Sequence, residues 1–204
     1  SIKDVGEEKI KLLSEEYFFV TIKQAYFRFK ELAEFQFFNC NNFIKYEPLR
    51  AKFICCSFFD LSHGRSVLWG DQKIDQYYQL KSQRKFSDFE DLDEYFDINN
   101  MGSFKGPGII YELVLPFLYN LGVTEILTAG WDYSDSEGYV EHFYSETKRM
   151  KFINPANKPY FGENAESIKN SAKVNKYFKS KGVSLKCIQS SKCFLDSSIE
   201  RLVL

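Results

Sequence analysis

The chain has 204 residues, five cysteines and a net charge of −1; 44% of its residues are hydrophobic and 18% are aromatic. This length and composition suit one domain with a packed core. The near-neutral charge excludes nucleic acid as the expected partner, because binding to phosphates requires a basic face. An odd number of cysteines without paired CxxC spacing indicates free thiols in a reduced compartment, not a disulfide framework or a zinc site.

The first third of the chain predicts three short strands. Tyr17–Ile22 is rich in aromatic and β-branched residues, which favours a strand, and Phe35–Phe38 and Ala51–Phe58 predict two more. Tyr26–Ala33 predicts a short helix between the first two strands. Ligands of open α/β sheets bind outside the carboxyl ends of strands. The residues Lys23-Gln24-Ala25-Tyr26 at the carboxyl end of the first strand are therefore candidates for ligand contact, and an ordinary polar strand exit is the favoured alternative.

The third predicted strand ends in Cys55, Cys56 and Ser57, with His63 a few residues further on. A cysteine beside a histidine can act as a nucleophile. Adjacent cysteines in an apolar strand are more often small core residues, and that interpretation is favoured here.

Residues 64–100 are the least regular part of the sequence. They mix aromatic residues with many charges, and Asp88–Asp97 is acidic. A solvated helix and an insertion that covers a substrate both fit this pattern.

The most informative stretch runs from Met101 to Gly138 and predicts loop, helix, turn, strand and loop. A glycine-rich entry opens an apolar helix over Ile109–Asn120, and Leu121-Gly122 ends it. Glu125–Ala129 is a short apolar run typical of a buried parallel strand. Glycine-rich loops that lead into helices bind phosphates, so this stretch predicts a nucleotide site.

The last third continues the alternation of helix and strand. Tyr139–Ile153 predicts a loop with a helical piece, and residues 154–164 predict a turn-rich loop. Ala165–Lys181 predicts a helix, Val183–Ile188 a strand and Ser197–Leu204 a final helix. Strands that alternate with helices predict an α/β fold with a mostly parallel sheet and helices on both faces.

Several short segments occur in a recognisable order: Ser1–Asp4, Phe19–Gln24, Lys52–Ser57, Gly106–Gly108 with Leu121–Ile126, Gly130–Tyr133 and Tyr160–Asn164. In this order they resemble the motifs of the bacterial lipooligosaccharide sialyltransferases and the related motility-accessory glycosyltransferases. The corresponding family elements include strands that end in Asn-Gln and Asn-Pro-Ser, a Ser-Gly before a helix, and Leu-Gly-x-x-Glu-Ile. A Gly-x-Asp-Phe-Tyr and a Tyr-x-Gly-His-Ser follow.

The resemblance implies a single Rossmann-like domain over residues 1–204 with a lid-like insertion, in which the family's first strand and phosphate loop are missing before Ser1. It also implies a donor sugar activated by cytidine monophosphate (CMP), namely a sialic acid or a related keto-sugar acid. A glycan is the acceptor, and neither a metal nor a cofactor is required. The implied location is cytoplasmic; peripheral membrane association and a homo-oligomer are left open.

The same resemblance assigns site residues. Glu163 stands where the family has its general-base histidine, and a carboxylate can also accept a proton from an acceptor hydroxyl. His142 is the second choice of base, and Asp132 orients the loop or the sugar. The implied donor-binding residues are Lys23, Gln24, Cys55, Ser57, Gly106, Pro107, Gly108, Ile109, Trp131, Tyr133, Tyr139 and Tyr160.

Three other functions stay open. The chain can be a nucleotide-sugar-binding domain without catalysis, since Glu163 replaces the histidine and the phosphate loop is missing. It can be a structural domain of a larger glycosyltransferase. It can also be a hydrolase that uses Cys56 with His63 or His142.

Overall fold

The computed structural model describes residues 5–22, 25–39, 52–58, 74–79, 81–131, 139–140, 150–151, 161–188 and 195–203. The chain divides into two compact units. The first unit is Leu13–Gly122, and the second unit combines Ser1–Leu12 with Val123–Leu204. A helix, α1 (Glu7–Glu16), spans the boundary in sequence.

The first unit contains a four-stranded parallel sheet. Its strands are β1 (Val20–Ile22), β2 (Phe35–Asn39), β3 (Phe53–Phe58) and β4 (Gln76–Gln79), and they lie in the order β1-β2-β3-β4. Helix α2 (Ala25–Phe29) connects β1 and β2. Sequential order with parallel pairing requires a crossover between neighbouring strands, and α2 provides the first of these crossovers.

One face of this sheet packs against an apolar helix that begins near Ile109. Phe37 and Cys55 from the sheet are buried there together with Leu113 and Phe117 from the helix. Because side chains alternate along a strand, Gln36 points to the opposite face. It is also fully buried, and its side-chain oxygen accepts a hydrogen bond from the Thr21 hydroxyl. The pair satisfies two polar groups that would be costly to bury alone.

The apolar helix starts with a wide turn. Ile110–Val114 forms a π turn, in which the Leu115 N–H donates to the carbonyl of Ile110, and α4 (Leu115–Asn120) continues as an α-helix. Pro116 explains the change, because proline has no N–H and its ring clashes with the carbonyl four residues earlier in a regular α-helix. The wider turn accommodates that ring.

Buried aromatic rings form a cluster. Most of them belong to the segment between β4 and the apolar helix, and one belongs to the helix itself. Short helical turns at Phe86–Asp88 and Ile98–Asn100 flank α3 (Asp93–Phe96). Five rings in this segment and the helix pack at centroid distances of 4.7–5.7 Å, and they belong to Phe86, Phe89, Tyr95, Phe104 and Tyr111. The acidic stretch Asp88–Asp97 is therefore not only a solvated face, since its aromatic side chains are buried.

The second unit contains a three-stranded parallel sheet in the order β5-β8-β9, formed by Glu125–Thr128, Ser184–Ile188 and Glu200–Leu202. Lys186 of the central strand lies 2.6 Å from Glu125 and 3.9 Å from Glu200 of the neighbouring strands. Helix α5 (Phe161–Ser180) precedes β8. The two-residue strands β6 (Tyr139–Val140) and β7 (Met150–Lys151) pair antiparallel.

The mixture of helices with short parallel sheets is compatible with the α/β class predicted from the sequence, but the parallel strands form two separate short sheets and not one. The predicted strands at Tyr17–Ile22, Phe35–Phe38, Ala51–Phe58, Glu125–Ala129 and Val183–Ile188 are all present within a few residues. The predicted final helix at Ser197–Leu204 is wrong, because Glu200–Leu202 pairs with β8 as an edge strand. Strand β4 was missed, since only two tyrosines mark it among polar neighbours.

Candidate functional site

The glycine-rich entry to the apolar helix lies toward the carboxyl edge of the four-stranded sheet. Phe117, in the second half of the helix, contacts the rings of Phe35 and Phe53, the first residues of β2 and β3. The turn before the helix packs on the last part of β4, where a Cβ on Gly102 would lie 2.5 Å from the Cβ of Tyr78. The helix therefore runs back from the carboxyl edge, which is the edge where open α/β sheets bind ligands.

Backbone donors of this entry already bond to the protein. The N–H of Ser103 donates to the Asn100 carbonyl (2.9 Å), and the N–H of Lys105 donates to the Arg84 carbonyl (3.1 Å). The N–H of Gly106 donates to a carboxylate oxygen of Glu112 (3.3 Å). A phosphate-binding loop presents such donors to its ligand. A ligand at these three positions would have to replace an existing bond.

Gly106 has a packing role in the described structure. A Cβ at this position would lie 2.7 Å from the Cβ of Tyr111, 3.0 Å from the backbone N of Glu112 and 3.1 Å from the Tyr95 hydroxyl. Only glycine allows this close approach of the loop to the helix. Gly108 differs, because its φ of +117° requires glycine for conformational reasons, while a Cβ there would have no neighbouring heavy atom within 4 Å.

Glu112 is a buried carboxylate behind this loop, with an exposed fraction of only 8%. The hydroxyl of the neighbouring Tyr95 donates to the carbonyl of Tyr111 at 3.0 Å. Burial raises the pKa of Tyr95 well above its usual range, and the negative charge of Glu112 raises it further. The loop, the tyrosine and the carboxylate thus form one connected cluster. Glu112 is the only charged residue in the sequence from 109 to 120. This single charge in an apolar helix could have marked it from the sequence alone.

Cys55 belongs to the core and has no exposed surface. Burial raises its pKa to about 12, and the nearby charge of Asp75 adds to the increase. A thiol with this pKa is protonated at neutral pH and is a poor nucleophile. The interpretation of Cys55 as a small core residue is confirmed. Its predicted contact with a donor, and that of Ser57 in the same strand, stay predictions.

The described residues bring several predicted donor-binding positions into one unit. Cys55 and Ile109 lie in the same core cluster, and Gly106, Pro107 and Gly108 precede Ile109 at the start of the helix. Lys23 and Gln24 come directly after β1 in sequence and lie outside the described residues.

The other predicted site residues belong to the second unit. Trp131 comes three residues after β5 and is buried. The backbone of Tyr139 pairs with Lys151 in the small antiparallel sheet, and Glu163 is in the first turn of α5. The side chains of those two residues lie outside the described part of the structure. So do Asp132, Tyr133, His142 and Tyr160, and the Cys56 and His63 side chains invoked for a hydrolase.

A surface hollow of about 300 Å³ also lies in the second unit. It is lined by Lys179, Gly182, Val183, Ser184, Leu185, Ser198 and Glu200. Ser184 and Glu200 are the first residues of β8 and β9, so the hollow lies at the amino ends of these strands. The lysine already donates a hydrogen bond to the carbonyl of Ser198 (3.0 Å). This position is opposite to the edge at which parallel sheets bind ligands.

Among the described residues, no three or more His, Cys, Asp or Glu side chains are grouped so as to hold a metal ion. Within the same part of the chain, no helix is both long and apolar enough to span a membrane. No protein-family model matches the chain, and no curated protein or solved structure is significantly similar to it.

Proposed function

We propose that the chain is the donor-binding domain of a metal-independent glycosyltransferase that uses a CMP-activated sialic acid or a related keto-sugar acid. One observation carries this proposal: a glycine-rich entry begins a helix at the carboxyl edge of a four-stranded parallel sheet. Nucleotides bind at this edge in α/β folds. The order of short motifs along the chain, which resembles that of the sialyltransferase family, supports the same proposal. The proposal includes a single Rossmann-like domain with a lid-like insertion, and a cytoplasmic location.

In the proposed reaction, the donor phosphate lies near Gly108 and Ile109, where the positive end of the helix favours an anion. Glu163 takes the proton from an acceptor hydroxyl, or His142 does so in its place. The hydroxyl oxygen bonds to the anomeric carbon, and the bond from that carbon to the phosphate oxygen breaks. CMP leaves with the electron pair, and hydrogen bonds from Tyr133, Tyr139 and Tyr160 stabilise its charge. Asp132 orients the sugar.

The direct test follows the release of CMP from CMP-sialic acid, with and without a panel of glycans as acceptors. We expect release that depends on both the protein and the glycan, and a product that is heavier by one sialic acid in mass spectrometry. Absence of acceptor-dependent release, in a protein that binds CMP, would contradict catalysis and leave a binding function.

A second function, a nucleotide-sugar-binding domain without catalysis, is favoured by a separate observation. Three N–H groups of the glycine-rich entry donate to protein acceptors, at Ser103, Lys105 and Gly106. A loop satisfied in this way has fewer donors for the charge that develops on a leaving phosphate. Binding of CMP with no release from CMP-sialic acid would select this function.

A further inference from the structure

Strand β1 is the terminal strand of the four-stranded sheet, so one of its sides has no neighbouring strand among the described residues. The backbone of Phe19 faces the occupied side, because its carbonyl accepts from the N–H groups of Glu34 (2.9 Å) and Phe35 (3.3 Å). Backbone groups alternate in direction along a strand. The N–H and carbonyl groups that point to the open side therefore belong to Phe18, Val20 and Ile22.

This open side lacks the features that usually protect the edge of a sheet. The segment Tyr17–Ile22 contains no charged residue and no proline, and either of these would discourage pairing with another strand. The side chain of Phe18 is 75% exposed, and its ring meets that of Phe35 at a centroid distance of 6.5 Å. An uncharged edge with an exposed ring beside it is a surface to which another strand can pair.

A second copy of this edge is complementary to the first in an antiparallel register centred on Val20. In this register Val20 lies opposite Val20 of the other copy, and Phe18 lies opposite Ile22 at both ends. Residues that direct their backbone groups at each other exchange two hydrogen bonds, so the three pairs form about six. Each exposed Phe18 ring also covers a half-buried Ile22 of the other copy, and aromatic side chains opposite β-branched ones stabilise paired strands.

The charges that flank β1 favour the same arrangement. Glu15 and Glu16 precede the strand in the sequence, and Lys23 follows it directly. Antiparallel pairing brings the acidic end of one strand to the basic end of the other, whereas parallel pairing would bring like charges together. The edge is therefore complementary to itself in charge as well as in its apolar side chains.

We propose that the chain forms a homodimer in which two β1 strands pair antiparallel and join two four-stranded sheets into one. This inference is independent of the proposed function. The pairing uses each β1 edge once and therefore closes at two copies. Because so short a strand buries little area, and interfaces below about 1,200 Å² are weak, we expect a dissociation constant on the order of 10–100 μM. The protein is then mostly monomeric at low micromolar concentration.

The test is sedimentation velocity of the whole chain from about 2 to about 200 μM, over which the wild type should change from monomer to dimer. Phe18→Lys places a charge at the edge and should raise the dissociation constant by about 10-fold or more. Ile98→Lys is the matched control, because Ile98 is 61% exposed in the same unit but lies outside β1; it should leave the dissociation constant unchanged. Circular dichroism establishes that both variants are folded.

Reversal of the flanking charges tests the antiparallel direction. Glu16→Lys and Lys23→Glu should each weaken the dimer, and the double variant should restore it toward the wild-type strength, since opposite charges then meet again. A double variant weaker than either single variant would contradict antiparallel pairing.

A wild-type protein that stays monomeric over the whole range would overturn the inference and leave this edge to an extended segment of a different protein. A dimer that Phe18→Lys does not weaken would place the contact outside β1 and would overturn it as well.

Discussion

The rings of Phe117 and Phe37 meet edge to face, with their centroids 5.1 Å apart. Phe117 also contacts Phe35 and Phe53, so one helical side chain covers two strands of the sheet. This contact fixes the direction of the helix and therefore places the glycine-rich entry at the carboxyl edge. The position of the candidate site depends on apolar packing at the far end of the same helix.

Replacing Phe117 by alanine should destabilise the protein by about 3–5 kcal/mol, because it removes a buried ring and leaves a cavity against the sheet. Urea unfolding followed by circular dichroism measures this change. Phe18→Ala is the matched control, since the Phe18 side chain is 75% exposed; its free energy of unfolding should change by no more than about 0.5 kcal/mol. Equal losses in the two variants would show that Phe117 does not anchor the helix.

Gly106→Ala should destabilise the protein by about 1–3 kcal/mol through overpacking. The new methyl group would meet the Tyr111 Cβ and the backbone of Glu112 at 3.0 Å or less. Gly182→Ala separates this effect from that of backbone strain, because Gly182 has φ of +75° and open space around it. The control should lose only about 1 kcal/mol. A Gly106 variant as stable as wild type would contradict the close approach of loop and helix.

Stability should fall at alkaline pH. The pKa of Cys55 is raised to about 12 from 9.0 and that of Tyr78 to about 12 from 10.0, in both cases mainly by burial. At a pH between the ordinary pKa and the raised pKa of each group, the unfolded chain loses a proton that the folded chain keeps. The free energy of unfolding therefore decreases as pH rises. The stabilising contribution of Cys55 is complete below about pH 9 and is lost by about pH 12. Urea midpoints from about pH 8 to about pH 11 measure the decrease, and Cys55→Ala should make it shallower; an identical slope would contradict the assignment.

Arg84 should contribute more to the stability of the fold through its contact with an aromatic ring than through its ion pair. Its guanidinium carbon lies 3.9 Å from the centroid of Phe89, and its nitrogen lies 2.6 Å from Glu94 in an exposed pair. Arg84→Ala should cost about 1 kcal/mol, whereas Glu94→Gln should cost no more than about 0.5 kcal/mol. A double-mutant cycle in urea checks the two contributions. A larger loss of stability for Glu94→Gln than for Arg84→Ala would contradict this prediction.

Glu163→Gln should lower turnover by about 10²-fold or more if the carboxylate is the general base, because glutamine cannot accept the proton. The affinity for CMP should not change. Glu166→Gln, in the same helix, is the matched control and should keep full turnover. Both variants are compared by CMP release under saturating donor; full turnover in Glu163→Gln would transfer the role of base to His142.

Local patterns in the sequence predicted the fold well where a segment is apolar and has clear turn residues at its ends. The helix at Ile109–Asn120 and the strand Glu125–Thr128 follow from such patterns. Edge strands were less predictable: the segment around Glu200 has residues that favour a helix, and pairing with β8 overrides that preference. The aromatic cluster was not predicted, because many charged residues lie between its members in the sequence. Its spacing was nevertheless regular: buried residues recur at intervals of three, at Phe86, Phe89, Leu92 and Tyr95.

The candidate site was only partly predictable for a different reason. Glycines in a loop indicate either ligand contact or close packing, and sequence alone does not distinguish these. Only the structure relates Gly106 to Tyr95 and Glu112, through a carboxylate six residues further along the chain that turns back to the loop. The buried position of Cys55 likewise depends on strand order, which brings Phe37 and the helix over it.

The most direct measurement is a thermal-shift panel with CMP, uridine diphosphate and guanosine diphosphate at millimolar concentration. A ligand at about 100 times its dissociation constant stabilises the folded state by about 2.7 kcal/mol, which raises the melting temperature by about 5–10 °C for a chain of this size. We expect this increase with CMP and a much smaller one with either diphosphate. No increase with any nucleotide, or a larger one with a diphosphate, would contradict a CMP-sugar site.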